Sequence, residues 1–172
     1  MMKLAILAVA GMVAAFSAAA QQKPSPLDTV PDKMPFDVPY GAPIGLEQAQ
    51  HAIQAALAEA QKRGWKLNVA VVDSGANLVA FARMDGAQIG SIDISEHKAR
   101  AAAKYRRETK LFENGVQGGN NYLLTLDDVI ASRGGIPLLV DGKLVGAIGC
   151  SGGTGSQDEL VCQAGVAALG GK

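Results

Sequence analysis

Apolar residues in the middle of the chain recur first at helical spacing and then in short runs. Leu46 and Ile53 belong to a stripe with a period near 3.6 residues, which predicts a first helix that stops at Gly64. Two apolar runs follow, and the turn between them reads Asp-Ser-Gly-Ala-Asn. We therefore expect a β-hairpin made of residues 67–72 and 78–84.

The chain continues with a second helix, a second hairpin and a final helix. These predicted elements are an Ala-rich helix over residues 91–105, a hairpin over 136–140 and 143–148, and a helix to about Gly170 that opens with the capping-box spacing of Ser156 and Glu159. Asp141-Gly142 joins the two strands, and this dipeptide favours a type I′ turn. Hairpins rather than crossover connections predict an antiparallel sheet faced by helices, which is an α/β (α+β) fold.

The N-terminal 43 residues predict two segments that precede this domain. Lys3, the apolar run Leu4–Phe16 and small residues up to Ala20 have the layout of a cleavable secretory signal, cut after Ala20. We expect a periplasmic or secreted protein, since the apolar run is short for a retained membrane span of about 20 residues. Residues 21–43 hold six of the seven prolines and predict an extended arm, either free or lying across a neighbouring subunit. The folded domain then occupies residues 44–172.

Composition narrows the class of protein without naming its ligand. The chain has 16 basic and 16 acidic residues, so it lacks the basic excess that nucleic-acid binding requires. A hydrophobic fraction of 48% excludes a mostly disordered chain. After export, Cys150 and Cys162 can form a disulfide. Two unpaired, buried cysteines are slightly favoured, because a domain of this size does not need a covalent cross-link.

The sequence lacks several common motifs of catalytic, nucleotide-binding and metal sites. It contains no GxxxxGK[ST], GxGxxG, GxSxG or HExxH, and two histidines cannot form a three-histidine metal site. The Gly-rich segment 151–156 precedes a helix, where free backbone amides can hold a carboxylate or a phosphate. A tight strand-to-helix connection would have the same sequence. The segment alone therefore leaves both interpretations open.

The helix over residues 91–105 carries the most informative polar pattern. Asp93, His97, Arg100 and Lys104 fall on one face, so an imidazole lies between two cations. This suits haem, since imidazole binds iron and cations neutralise propionates. A solvated polar face gives the same pattern and is the commoner reason for it. His51 on the first helix is an alternative axial ligand to His97, and lower-ranked ligands are Met84, Tyr105, Tyr122 and Cys150.

Several short motifs, taken in order, resemble those of the GlcG/HbpS-like family, which is related to the PduO C-terminal domain and often labelled haem-degrading. They are residues 70–75, 83–87, 91–94, 98–100, 134–137, 141–142, 145–149 and 151–153. The resemblance covers about residues 42–170. It implies a profilin-like three-layer α/β/α domain, assembled into homo-oligomers. It also implies a five-stranded antiparallel sheet, and so a further strand within residues 123–135.

The resemblance also implies which residues bind a ligand. Arg83, Asp85, Lys98 and the loop residues Gly152 and Gly153 match the shared pattern, although Arg83 and Asp85 could instead pair to fix a turn. The first hypothesis is a haem-binding protein for sequestration, delivery or sensing. The alternatives are a small-carboxylate binding protein of hydroxy-acid metabolism and a haem-degrading enzyme. For the enzyme, nothing in the sequence supplies an electron source.

Overall fold

The computed structural model of the chain describes residues 29–170, so the predicted signal segment and the start of the predicted arm lie outside it. The helices are α1 (Leu46–Lys62), α2 (Ser91–Lys104), α3 (Lys110–Gln117) and α4 (Gly155–Ala168), with a short 3₁₀ helix at Asn121–Thr125. The strands are β1 (Asn68–Asp73), β2 (Leu78–Arg83), β3 (Gly135–Val140) and β4 (Lys143–Ser151). Within residues 29–170, no helix is long and apolar enough to cross a membrane.

The sheet is antiparallel throughout and has the strand order β2-β1-β4-β3. Both hairpins lie where the sequence predicts them. In the turn of the second hairpin, Asp141 and Gly142 have φ angles of 50° and 72°, which is the left-handed pair that a type I′ turn requires. The central pair, β1 and β4, joins the two hairpins, with Asn68 opposite Ser151. The antiparallel α+β fold is confirmed.

Helices cover both faces of the sheet, which gives the expected three layers. Helices α1 and α4 pack on one face with the larger apolar cluster, and α2 packs on the other face with an Ala-rich cluster. Small residues allow this close packing. At Gly149 of β4, an added Cβ would lie 2.1 Å from the carbonyl oxygen of Ser95 and 2.6 Å from the amide nitrogen of Ala99. Helix α2 therefore rests directly on the backbone of β4.

The prediction of a fifth strand within residues 123–135 was wrong, because the described sheet has four strands. The apolar residues of this segment, Leu123, Leu126 and Val129, recur every three positions instead of every two, and they pack around Phe112 of α3. Part of the predicted arm instead reaches the sheet. Tyr40 forms a parallel bridge with Leu144, whose carbonyl oxygen accepts a hydrogen bond from the Gly41 amide at 2.7 Å.

The structure also corrects two expectations near α4. Cys150 and Cys162 form a disulfide, with an S–S distance of 2.11 Å and Cα atoms 5.7 Å apart, whereas the sequence slightly favoured unpaired cysteines. Cys150 faces the helical layer that contains α4, and Cys162 lies on the buried side of α4 directly above it. The capping box that opens α4 starts at Thr154 and not at Ser156, since the Thr154 side chain accepts a hydrogen bond from the Gln157 amide.

Candidate functional site

A cleft of about 580 Å³ lies between α1 and the end of β2, and we call it the α1–β2 cleft. Its lining residues are Gln54, Leu57, Ala58 and Gln61 of α1, then Gly64, Trp65 and Lys66, and finally Arg83, Met84 and Asp85. The lining combines an indole and a thioether with two cations and one carboxylate. Two of the residues that the sequence predicts for ligand binding, Arg83 and Asp85, belong to it.

The end of α1 shapes one side of the α1–β2 cleft. Gly64 adopts a φ of +69°, which turns the chain out of the helix, and the Trp65 amide then donates back to the Ala60 carbonyl at 3.0 Å. The Arg63 guanidinium lies 5.1 Å from the centre of the Trp65 ring. This turn holds the half-buried indole of Trp65 against the opening of the cleft.

The end of β2 shapes the other side. The Met84 amide donates to the Leu67 carbonyl at 3.1 Å, and the Leu67 amide donates to the Met84 sulfur at 3.5 Å. Met84 is thereby fixed at the start of the loop that leaves the sheet. Arg83 and Asp85 flank it and are exposed, and among the described residues no ion pair joins these two side chains. Their charges are therefore free to meet a ligand at the rim.

A second recess of about 300 Å³ continues from this cleft and shares Gly64, Trp65 and Lys66 with it. Gly152 and Gly153 line this recess, so the structure brings them to the same end of the sheet as Arg83 and Asp85. Gly152 permits a close approach of two backbone segments. A Cβ at this position would lie 2.4 Å from the Lys66 carbonyl oxygen.

The backbone amides of the Gly-rich loop are largely used within the protein. The Gly153 amide donates to Asp158 Oδ1 at 2.9 Å, and the Thr154 amide donates to Gln157 Oε1 at 2.9 Å. The buried carboxylate of Asp158 occupies the place that a bound anion would take at the start of α4. This arrangement disfavours the small-carboxylate hypothesis at Gly152 and Gly153.

Lys98 lies behind the loop and does not reach the cleft. Its side chain is fully buried, and Nζ donates to Asp158 Oδ2 at 2.8 Å and to the Cys150 carbonyl at 3.1 Å. Lys98 thus connects α2 to the Gly153 loop through Asp158. The sequence grouped Lys98 with the ligand-binding residues, whereas the structure places its ammonium in the interior.

The polar face of α2 lies on the opposite side of the sheet from α1, so His97 and His51 are far apart in the fold. The cations beside His97 already have partners. Arg100 donates to Glu96 at 2.8 Å, and Lys104 donates to Asp128 and, at 2.9 Å, to Asp127.

The hydrogen bonds that Lys104 donates to the Asp128 and Asp127 carboxylates raise the pKa of Lys104 above its ordinary value. The Lys104 bond in turn lowers the pKa of Asp127, with a smaller contribution from His97. A propionate at this face would have to displace these carboxylates. The geometry therefore does not favour His97 as the centre of a haem site.

His51 is exposed on α1, three residues before Gln54 and seven before Ala58. This spacing puts His51 on the same stripe of the helix as those two lining residues, at the N-terminal end of the cleft wall. Sequence reasoning ranked Met84 low as an iron ligand and missed Trp65 and Lys66 altogether. The signal that could have found them is the single tryptophan of the chain, placed directly after a helix stop. Among residues 29–170, no group of three or more His, Cys, Asp or Glu side chains could hold a bare metal ion.

Comparison with known proteins gives relatives for this domain. The family model described as "Haem degrading protein HbpS-like" matches residues 44–167. The chain is 42% identical over 108 residues to protein GlcG of Escherichia coli K12, which is 63% of this chain and 81% of GlcG.

Two solved structures have similar folds. A double mutant of Streptomyces reticuli HbpS superposes with a TM-score of 0.71 at 30% identity, over 82% of this chain and 96% of that one. A PduOC:heme complex superposes with a TM-score of 0.68 at 27% identity, over 74% of this chain and 95% of that one. This chain belongs to the HbpS-like family.

Proposed function

We propose that this protein binds haem non-covalently in the α1–β2 cleft and serves in haem sequestration, delivery or sensing. The observation that carries the proposal is that one cleft joins the Met84 thioether and the Trp65 indole to the cations Lys66 and Arg83. Membership of the HbpS-like family and the fold shared with a PduOC:heme complex support the same ligand.

The residues of the cleft fit the three needs of a haem site. Methionine sulfur and histidine nitrogen are both axial ligands of haem iron, and Met84 and His51 offer them. The indole of Trp65 and the side chain of Leu57 supply apolar contact for the porphyrin. Lys66 and Arg83 can pair with the propionates. When bound, haem would supply a redox-active iron whose behaviour depends on these axial ligands and on its burial.

The size of the cleft also agrees with a ligand of this class, since small-molecule pockets enclose about 300–1,000 Å³. At the alternative position, His97, the neighbouring cations are paired with carboxylates. Met84 and His51 are therefore the better candidates for the iron ligands.

We also propose that the protein acts outside the cytoplasm. The secretory signal predicted for residues 1–20 motivates this localisation, and the buried Cys150–Cys162 disulfide supports it, because disulfides persist in oxidising compartments. Expression of the full chain in a bacterial host, followed by fractionation, tests the proposal. Recovery in the periplasm with Gln21 as the new N-terminus is the expected result, and recovery of uncut chain in the cytoplasm would reject it.

The test of haem binding is a haemin titration of the purified protein, followed at the Soret band. We expect a saturable shift that is weakened at least tenfold in Met84→Leu or in His51→Ala, whichever residue is the ligand. His97→Ala is the matched control and should leave the titration unchanged. Arg83→Gln should weaken binding without altering the Soret position, since it removes a propionate partner and no iron ligand.

Two outcomes would reject this proposal. A non-saturating rise like that of free haemin would reject haem binding altogether. A shift that survives Met84→Leu combined with His51→Ala but is lost in His97→Ala would move the site to α2. Adding a reductant to the same titration would reveal degradation as loss of the Soret band with release of iron.

A further inference from the structure

A second cavity, of about 520 Å³, lies at the opposite edge of the sheet from the α1–β2 cleft, and we call it the arm cavity. Its apolar lining residues are Phe36, Val38, Leu111, Ile136, Pro137, Leu139 and Val166. Three charged residues, Arg106, Arg107 and Glu108, complete it. The arm cavity shares no lining residue with the α1–β2 cleft, which involves β2 where this one involves β3.

The arm forms one wall of this cavity and is held by the segment that follows α2. Arg106 Nη1 donates to the Val38 carbonyl at 3.0 Å, and its guanidinium lies 5.5 Å from the centre of the Tyr40 ring. The Tyr40 hydroxyl donates to the Lys104 carbonyl at 2.9 Å. Phe36 packs on the guanidinium of Arg107, whose central carbon lies 3.5 Å from the ring centre. The wall is thus built by specific contacts.

The two arginines of the cavity lack acidic partners. Among residues 29–170 no ion pair involves Arg106 or Arg107, whereas Arg63, Arg100 and Arg133 each pair with a glutamate. Arg107 Nε donates to the Tyr105 carbonyl at 3.0 Å, and within the described part of the chain its two terminal nitrogens donate no hydrogen bond. Burial lowers the pKa of Arg107 from its ordinary value, and the neighbouring Arg106 lowers it further. An anion bound beside Arg107 would raise its pKa and so oppose both effects.

We propose that the arm cavity binds a small amphipathic carboxylate, with its apolar chain against Leu111, Leu139 and Val166 and its carboxylate on Arg107. A guanidinium is the side chain best suited to hold a carboxylate through two parallel hydrogen bonds. A mostly apolar lining with a few polar groups is typical of small-molecule pockets of this volume. The lining includes no His, Met, Cys or Tyr, so it does not suit a ligand that needs an axial bond to iron.

The test compares decanoate with decanol, which share a chain and differ in the charged group. Both are titrated calorimetrically into the full-length purified protein. We expect saturable binding of decanoate, at least tenfold tighter than that of decanol, because only the carboxylate can pair with Arg107. Arg107→Gln should remove this preference, Leu111→Trp should weaken both ligands by filling the cavity, and Lys143→Gln, an exposed cation elsewhere, should change neither.

The comparison of the two ligands on the unaltered protein does not depend on whether Arg107→Gln folds. Equal affinities for decanoate and decanol, or no saturable binding of either, would overturn the proposal. So would a tenfold preference that persists in folded Arg107→Gln. A competition experiment separates this site from the haem site: decanoate should leave the haemin titration unchanged, and Met84→Leu should leave decanoate binding unchanged. Mutual displacement of haemin and decanoate would overturn the existence of a separate site.

Discussion

Replacing Lys98 with methionine tests the role that the structure gives to this residue. The substitution keeps a long unbranched side chain in the interior, so it opens little space, but it removes the ammonium group that bonds to Asp158 and to the Cys150 carbonyl. Asp158, which is 2% exposed, then keeps one hydrogen bond, from the Gly153 amide. A buried charge is left without its counter-charge.

The expected cost is large for a single substitution. Removing one partner of a buried ion pair destabilises a protein by about 3–5 kcal/mol. For a domain of this length, that corresponds to a fall in Tm of roughly 9–15 °C, at about 3 °C per kcal/mol. Circular dichroism during thermal and urea denaturation measures both quantities. Lys143→Met, at an exposed position, is the matched control and should change stability by less than about 0.5 kcal/mol.

A double-mutant cycle separates the ion pair from packing. Lys98→Met combined with Asp158→Leu should recover most of the lost stability, because the buried charge is removed with its partner. Haemin affinity of the folded Lys98→Met protein should equal that of the unaltered protein. If Lys98→Met left stability within about 1 kcal/mol and instead weakened the ligand, Lys98 would be a ligand contact, and the structural role argued here would be refuted.

Three further predictions concern the cross-link, one surface pair and the packing of α2. Replacing Cys150 and Cys162 together by alanine should cost about 3 kcal/mol, since the disulfide closes a loop with a sequence separation of 12; an unchanged urea midpoint would contradict this. The pKa of Glu113 is lowered from its ordinary value, chiefly by hydrogen bonds from Arg133. The stabilisation that this pair gives to the folded protein is therefore present at neutral pH and lost as the pH falls through the folded pKa. Glu113→Gln should therefore destabilise the protein by about 1 kcal/mol at pH 7, with the difference shrinking as the pH falls through the folded pKa of Glu113, and a pH-independent difference would be inconsistent with the pair. Gly149→Ala should cost more than about 2 kcal/mol by forcing α2 off the sheet, which chemical denaturation would detect. Gly90→Ala, at a position with open space around it and a φ of −59°, is the control for glycine replacement away from close packing.

The sequence predicted those features that depend on local pattern. Short apolar runs and the turns between them are local signals, and both hairpins were located from them. The further strand expected within residues 123–135 came from the family resemblance and not from a local pattern, and the apolar residues of this segment recur every three positions, which does not fit a strand. The disulfide and the Lys98–Asp158 pair depend on how distant elements pack, and 60 residues separate the partners of that ion pair.

Only part of the candidate site could be predicted, because the rest also depends on how distant elements pack. Arg83, Asp85, Gly152 and Gly153 follow strands that end at one edge of the fold, and the resemblance to a family named them. Trp65 and Lys66 enter the site only because α1 ends beside β2, which no local pattern shows. The arm cavity likewise requires residues from both ends of the domain to meet.

The position of β4 in the sheet has a consequence for how the chain is made. Asn68 of β1 pairs with Ser151 of β4, which lies 83 residues later in the chain. Until β4 is synthesised, the edge of β1 that pairs with it and the apolar face of the first hairpin stay exposed. Long-range pairings of this kind form slowly, since the connecting chain must close first. We expect the polypeptide to remain unfolded until its last quarter has emerged. Such a delay is compatible with the export proposed above, because an unfolded chain can pass through a translocation channel before β4 and Cys162 complete the domain.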